Sequence, residues 1–192
     1  MRVGAKAGGW RYSGGGYTLL QLLIEEVSGE SFADYMQRTV LNPLGMTRST
    51  YRAGAEGSQD IATFYDSFGS VAPHYRYTSA AAASLYATAN DMARFAQAHV
   101  TGVNGEPPGR GVLSPKTLET MRRAQAVFGG TAHWGMGPSL YATSKKGGFI
   151  FGHDGGNMPA INHTVRIEAQ SGDAIIALST GDSGIARKLG SA

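Results

Sequence analysis

The chain contains no cysteine. That excludes a disulfide framework, thiol catalysis and cysteine-based zinc sites. No run approaches the ~18 apolar residues that a membrane-spanning helix needs. The opening residues, Met1-Arg2-Val3-Gly4-Ala5-Lys6, lack the apolar core of a signal peptide, so the chain shows no address of its own. Charge is sparse, at 16% of residues, and the net charge of +3 is spread along the sequence. The nearest approach to a basic cluster, Lys145-Lys146 beside Gly147, reads as a solvated hairpin tip, and nucleic acid is not an expected partner. The five histidines, His74, His99, His133, His153 and His163, show no His-Glu-x-x-His spacing. Neither a metal nor a cofactor is expected.

What is present is a globular composition. At 192 residues and 42% hydrophobic, the chain is large enough for one domain with a real core. Its 28 glycines point to many tight turns. Thr18 to Val27 distributes Leu19, Leu20, Leu22, Leu23, Ile24 and Val27 over most of a helix surface, which predicts a buried helix. Ser28-Gly29 stops it. The acidic neighbours Glu25 and Glu26 diverge around that helix, so they form no paired-carboxylate site. Ser31 caps a second helix with Asp34 three residues on, and Asn42-Pro43 ends it. Residues 52–80 lack either period, and a connection that long is usually functional or disordered. Asn90 with Asp91 starts a third helix that Gly102 closes. Ser114-Pro115 starts another.

From about residue 131 the period becomes two. A strand is expected over Gly148 to Gly152. Ile161, His163, Val165 and Ile167 alternate with Asn162, Thr164, Arg166 and Glu168, and Ala174 to Ser179 is apolar. Joined by the turn Gln170-Ser171-Gly172-Asp173, these segments read as an antiparallel hairpin with one covered face. The organisation is α+β, with helices and loops over residues 1–130 and antiparallel strands over residues 131–192.

Two segments carry candidate chemistry. The first is Tyr12-Ser13-Gly14-Gly15-Gly16-Tyr17, which runs into the first helix. It places a phenol and a hydroxyl where helix amides point outward. Tyr12 is open to two readings, a proton shuttle or a core tyrosine bonded to backbone. A phenol ionises near pH 10 in water, so the first reading needs nearby cations. The glycine run lacks the ending of a phosphate-binding loop. The second segment is Gly152-His153-Asp154-Gly155-Gly156-Asn157, with His153 between a strand and a turn. A free amide there can donate to an oxyanion, or the segment can be a plain hairpin turn with a polar histidine.

One false trail is present. Gly181-Asp182-Ser183-Gly184 matches the nucleophile tetrapeptide of chymotrypsin-like proteases, and Thr131-Ala132-His133 faintly matches their histidine motif. The segments stand too close together, and the helices are too many for a pair of β-barrels.

Five segments in order resemble the serine β-lactamase and penicillin-binding-protein superfamily, above all its class C, DD-peptidase and esterase branch. They are WRYSGGGYTLLQLLIEEVSG, NPLGM at Asn42 to Met46, SLYATANDMARFAQ at Ser84 to Gln97, LSPKTLETM at Leu113 to Met121, and GHDGGN at Gly152 to Asn157. The resemblance implies an antiparallel sheet flanked by helices plus an all-helical region. It implies acyl transfer on a small ester, lactam or D-alanyl peptide substrate. Tyr12 would exchange a proton with nucleophile and leaving group. His153, with Asp154 and Gly155, would form the third motif. The Gly156 amide would donate to the oxyanion, and Ser13 and Gly14 would lie along the substrate. Periplasmic or secreted members are common in that superfamily.

Two departures from its pattern matter. Gly14 stands where the branch often has Asn, which removes a side chain for a substrate amide and leaves ester hydrolysis more plausible. No Ser-x-x-Lys, the motif of the acylated serine and its activating lysine, occurs in residues 1–192. The chain is therefore expected to be a carboxyl-terminal portion of the fold, with its closing segment Gly184 to Ala192 shorter than usual. It is expected to be inactive alone, and to associate through an open sheet edge or with the missing amino-terminal segment. A non-catalytic binding or scaffold module on the same fold is the alternative. Tyr12 and His153 need share a cleft only in an enzyme.

Overall fold

A computed structural model describes residues 10–55, 60–128, 131–143, 148–157, 160–181 and 184–190. The expected lysine tip at 145–146 and the residues Asp182 and Ser183 lie outside them. The architecture is α+β, as expected, with helices preceding a six-stranded antiparallel sheet.

The helical part follows its capping residues. Helix α1 spans Gly14–Ser28, and the Ser13 side chain accepts from Gly16 N. The Gly29 N–H closes its end on Glu25 O. The short α2, Phe32–Met36, starts as the sequence predicts. Ser31 Oγ accepts from Asp34 N at 3.2 Å and donates to Asp34 Oδ2 at 2.7 Å. A π turn, Gln37–Leu41, then carries the chain to Asn42. The loop after it forms a small hairpin, β1 (Phe64–Tyr65) with β2 (Val71–Ala72), where the sequence shows no strand period. The alanine run becomes α3, Ala80–Ala83. Helix α4, Ala89–Gln97, begins one residue before the expected start at Asn90, with Thr88 as its cap, and ends before Gly102. Helix α5, Pro115–Arg122, has the predicted Ser114 cap and leading proline.

Asp91 is freed by that cap to turn inward, where it is 2% exposed. Its carboxylate accepts from Arg48 N at 2.9 Å and Ser49 Oγ at 2.8 Å, and pairs with Arg94 at 2.8 Å. These contacts tie the turn after Asn42-Pro43 to α4 across some forty residues of chain.

The large sheet runs β3 (Ala126–Phe128), β4 (Thr131–Trp134), β5 (Ser139–Thr143), β6 (Phe149–Asn157), β7 (Ile161–Glu168) and β8 (Ala174–Ser179) in simple sequence order. Helix α6, Ile185–Gly190, follows. The core sits between α4 and this sheet, on Ala96, Phe151 and Ile167, with Val100, Leu140, Phe149 and Val165 around them.

Three expectations change. The first helix is not buried, for no residue of α1 reaches full burial and its leucines face outward. Its inward side carries the half-buried Ile24 together with Gln21 and Glu25, which bond to α3 and to Phe32 of α2. The segment after His153 is not a turn, since β6 continues through Asn157 and pairs with β7 residue for residue. Finally, β7 is covered on both faces. Asn162, Thr164 and Arg166, the alternation that reads as solvent-facing, are all buried. Helix α6 packs on the far side of β7 and β8 and closes that face. Among the described residues no helix is long and apolar enough to cross a membrane.

His99, at the end of α4, sits edge-on to Phe95 and Phe151 with ring centroids 4.8 and 5.5 Å away. Its buried Nδ1 has no partner among the described residues. Burial, with the Arg122 charge second, pushes its pKa down to about 4. The unfolded chain therefore takes up this proton first as pH falls. The ring's contribution is complete above about pH 6.5 and is lost on the way down to about pH 4. The expected loss between pH 7 and 4.5 is about 2 kcal/mol from this group. Denaturant titrations of wild type and His99→Leu at both pH values check it. Equal acid sensitivity of the two proteins would clear His99 of any part.

Candidate active site

Tyr12 and His153 come together. Their rings stack at an interplanar angle of 26°, with centroids 6.1 Å apart. Tyr12 is 59% exposed, so it is no core tyrosine. Trp134 of β4 stands edge-on to both, 5.6 Å from Tyr12 and 5.8 Å from His153, and Trp10 lies 5.0 Å from Trp134. These rings wall a cleft of about 560 Å³ that also takes in Tyr141, Asp154, Gly156 and Arg187. Residues from the start, middle and end of the chain thus share one concave site, as a binding or catalytic pocket requires.

Gly152 fixes where His153 points. Its φ is +155°, and a Cβ there would lie 1.9 Å from Val165 O. Only glycine brings β6 this close to β7. Farther along, a Cβ on Gly156 would lie 2.5 Å from an Arg187 terminal nitrogen. The bare backbone at 156 gives the guanidinium its place beside the cleft. Strand β5 pairs with β6 from Phe149 only as far as Gly152, whereas β7 pairs with it as far as Asn157. Among the described residues, His153 to Asn157 therefore keeps one unpaired edge. That edge has the form to which an extended chain can add as a strand.

Below the cleft Asp154 is held rigidly. Arg166 grips it with both terminal nitrogens, at 2.7 and 3.0 Å, and Thr164 Oγ1 donates at 2.7 Å. The Arg166 guanidinium also lies 3.5 Å from the centre of the Tyr141 ring. Burial works to raise the Asp154 carboxyl, but the Arg166 and Thr164 hydrogen bonds outweigh it and hold the group below the usual carboxylate range. His153 is also shifted down, first by desolvation among its neighbours. The Asp154 charge and main chain oppose that shift, and Arg166 adds to it.

Of the residues singled out in the sequence, Tyr12, His153, Asp154 and Gly156 line the cleft. Ser13, Gly14 and Gly155 are not among its walls. The Ser13 hydroxyl is engaged as the α1 cap, at 3.1 Å from Gly16 N. Gly14 opens α1 against Ala82, and Gly155 lies over the His163 ring. Sequence reasoning missed Trp10, Trp134, Tyr141, Arg166 and Arg187. An arginine and a threonine two apart on a strand beside an aspartate-bearing one was the available signal for Arg166. Nothing local marks Arg187.

A family model described as beta-lactamase matches residues 2–189. The putative penicillin-binding protein PbpX of Bacillus subtilis (strain 168) is 33% identical over 99 residues, which are 50% of this chain and 25% of that protein. The octameric penicillin-binding protein homologue from Pyrococcus abyssi superposes with a TM-score of 0.73 at 26% identity, over 95% of this chain and 41% of its own. A class C beta-lactamase gives 0.78 at 15% identity, over 99% and 58%, a likeness of fold alone. The chain thus spans well under two thirds of each of these relatives.

The opposed charges below the cleft give a test by sign. Asp154→Asn removes the anion that favours the imidazolium, so the His153 midpoint falls. Arg166→Met removes a cation, so the midpoint rises, while the unpaired carboxylate costs on the order of 3 kcal/mol of stability. Histidine NMR titrations of the folded variants read both shifts. Movement of both midpoints in one direction would sink the assignment.

Proposed function

Because this chain belongs to the beta-lactamase family, we propose that it is part of a serine hydrolase that works by acyl transfer on an ester, lactam or D-alanyl amide. The observation that carries this reading is the shared cleft, with Tyr12 and His153 stacked 6.1 Å apart across it. A binding module has no need to bring these two together.

In the proposed reaction a serine oxygen adds to the substrate carbonyl carbon while its proton passes to the Tyr12 oxygen, whose own phenolic proton the amine of the lysine partner holds throughout. The tetrahedral oxyanion is met by the Gly156 amide. The C–O or C–N bond to the leaving group then breaks, and the leaving group takes the proton from Tyr12. Water repeats the sequence to free the acid and restore the serine. The open edge of β6 takes the acyl chain as an added strand. His153, shifted toward its neutral form, acts as a hydrogen-bonding group rather than as a fixed cation. The cation beside the cleft is Arg187. The serine and its lysine partner come from outside residues 1–192.

Gly14 bears on the substrate class. A Cβ added there would meet only Ala82 Cβ, at 3.8 Å, an ordinary contact. Gly14 is not among the cleft walls, so the ester preference rests on the resemblance, in which an Asn at this place serves a substrate amide. Without that amide the site favours esters over lactams.

Two outcomes are expected. Fluorophosphonate leaves this chain alone without a stoichiometric adduct by mass spectrometry, and an adduct would refute the need for an outside nucleophile. The assembled enzyme turns over a nitrophenyl ester faster than a cephalosporin, and Gly14→Asn narrows that ratio by roughly tenfold, the worth of one hydrogen bond near 1.4 kcal/mol. A cephalosporin preference in the unmodified enzyme would reverse the ester assignment.

A further inference from the structure

A second pocket opens in the helical half. It has a volume of about 250 Å³ and shares no lining residue with the cleft. Three tyrosines wall it, Tyr51, Tyr77 and Tyr86, joined by Arg52, Arg76 and Ser84. Its walls are fixed by bonds within the chain. Thr50 and Tyr86 exchange two backbone hydrogen bonds, at 2.9 and 3.0 Å. Ser84, which follows α3, donates its hydroxyl to Tyr77 O at 3.0 Å. A concave, aromatic-lined space with a few polar groups is the usual form of a small-molecule site.

The lining sorts by depth. Arg52 and Arg76 are exposed, whereas the three tyrosines are largely covered. The Tyr51 ring stands edge-on to Phe32, with centroids 5.1 Å apart. Burial alone pushes its phenol up to about 12, and no hydrogen bond or charge from the described residues acts on it. The hydroxyl therefore stays protonated at physiological pH and has a donor to offer. A desolvated donor carries a cost that an oxygen of a bound molecule removes. At the rim the chemistry is anion-seeking. Among the described residues no carboxylate lines the pocket, and no Asp or Glu occurs between Asp66 and Asp91. Arg52 pairs with Asp34 at 2.6 Å, but both side chains are exposed, so the pair is weakly held.

We propose that this pocket binds a small phenolic acid, with its carboxylate at the arginine rim, its ring between the tyrosines and a ring oxygen accepting from Tyr51. The proposal is independent of the acyl-transfer reading. A guanidinium takes a carboxylate through two parallel bonds. Tyr77 and Tyr86 meet an aromatic ring by face or edge. Inorganic phosphate would satisfy the arginines and leave the tyrosine walls uncovered. A neutral aliphatic molecule would leave both the guanidiniums and the Tyr51 hydroxyl without a partner.

Isothermal titration of the whole protein with 4-hydroxybenzoate tests the assignment. Benzoate and 4-hydroxybenzyl alcohol each remove one contact from that probe. Saturable one-to-one binding of 4-hydroxybenzoate is expected, with benzoate weaker by roughly tenfold for want of the Tyr51 bond. The alcohol should be weaker by at least as much. Tyr51→Phe keeps the ring against Phe32. It should lower the affinity for 4-hydroxybenzoate to that of benzoate and leave benzoate unchanged. Arg76→Gln should weaken both acids and spare the alcohol. Trp134→Phe, in the cleft, should change nothing. No saturable binding, or equal affinity for the three probes, overturns the proposal on the unmodified protein alone. Equal loss of both acids in Tyr51→Phe also overturns it, and loss of binding in Trp134→Phe would move the ligand to the cleft and do the same.

Discussion

Arg166 and Asp154 meet in the middle of the sheet, and the cleft is built outward from that contact. Placing two charges away from water carries a large desolvation cost, recovered only when geometry is close and the remaining valences are filled. Both conditions hold here. The guanidinium is bidentate on the carboxylate, Thr164 supplies a further donor, and the Tyr141 ring covers the guanidinium face. The contact links β5, β6 and β7. It also seats α6, because Gly190 packs so closely on Thr164 and Arg166 that a Cβ there would collide with the threonine. The cluster thus joins β5, β6, β7 and α6, the elements that carry Tyr141, His153, Gly156 and Arg187.

The helical side has a counterpart in Asp91. It is buried, it accepts from a backbone amide and a hydroxyl of a distant turn, and it pairs with Arg94. Both carboxylates exchange solvent for several directed bonds, and both join segments that sequence separates widely. They differ in what they hold. Asp91 fixes scaffold to scaffold, while Asp154 fixes the strand that carries the cleft floor. Substitution at Asp91 should therefore act on stability, and substitution at Asp154 on the site as well.

Much of this was legible in the sequence where local chemistry decides the outcome. The caps at Ser31 and Ser114 set helix starts because an orphan amide needs an acceptor within a few residues, whereas Ser13, expected along the substrate, is itself a cap. The β7–β8 hairpin followed from its turn. Tyr12 and His153 were singled out from their motifs, and they share one cleft. What could not be read was which face of an element is covered. Leu19 to Val27 reads as buried by hydrophobicity alone, yet the partner for those leucines is not among the neighbours that the described residues supply. The polar residues of β7 read as solvated, but α6 and the Asp154 cluster bury them. The glycines after His153 signal a turn in isolation. In the sheet they instead allow a strand to run against Val165 and leave room for Arg187.

The electrostatics of the cleft decide which transition states it can serve. Asp154 is neutralised by Arg166, so its charge is largely spent within the scaffold. His153 is shifted toward neutrality. Arg187 borders the cleft, and α1 begins beside it with the positive end of its dipole. Among the described residues that line the cleft, Asp154 is paired with Arg166 and Arg187 adds a cation. Such a field lowers the energy of a developing oxyanion and raises that of a developing carbocation. Acyl transfer passes through the first kind of state, and glycosyl transfer through the second.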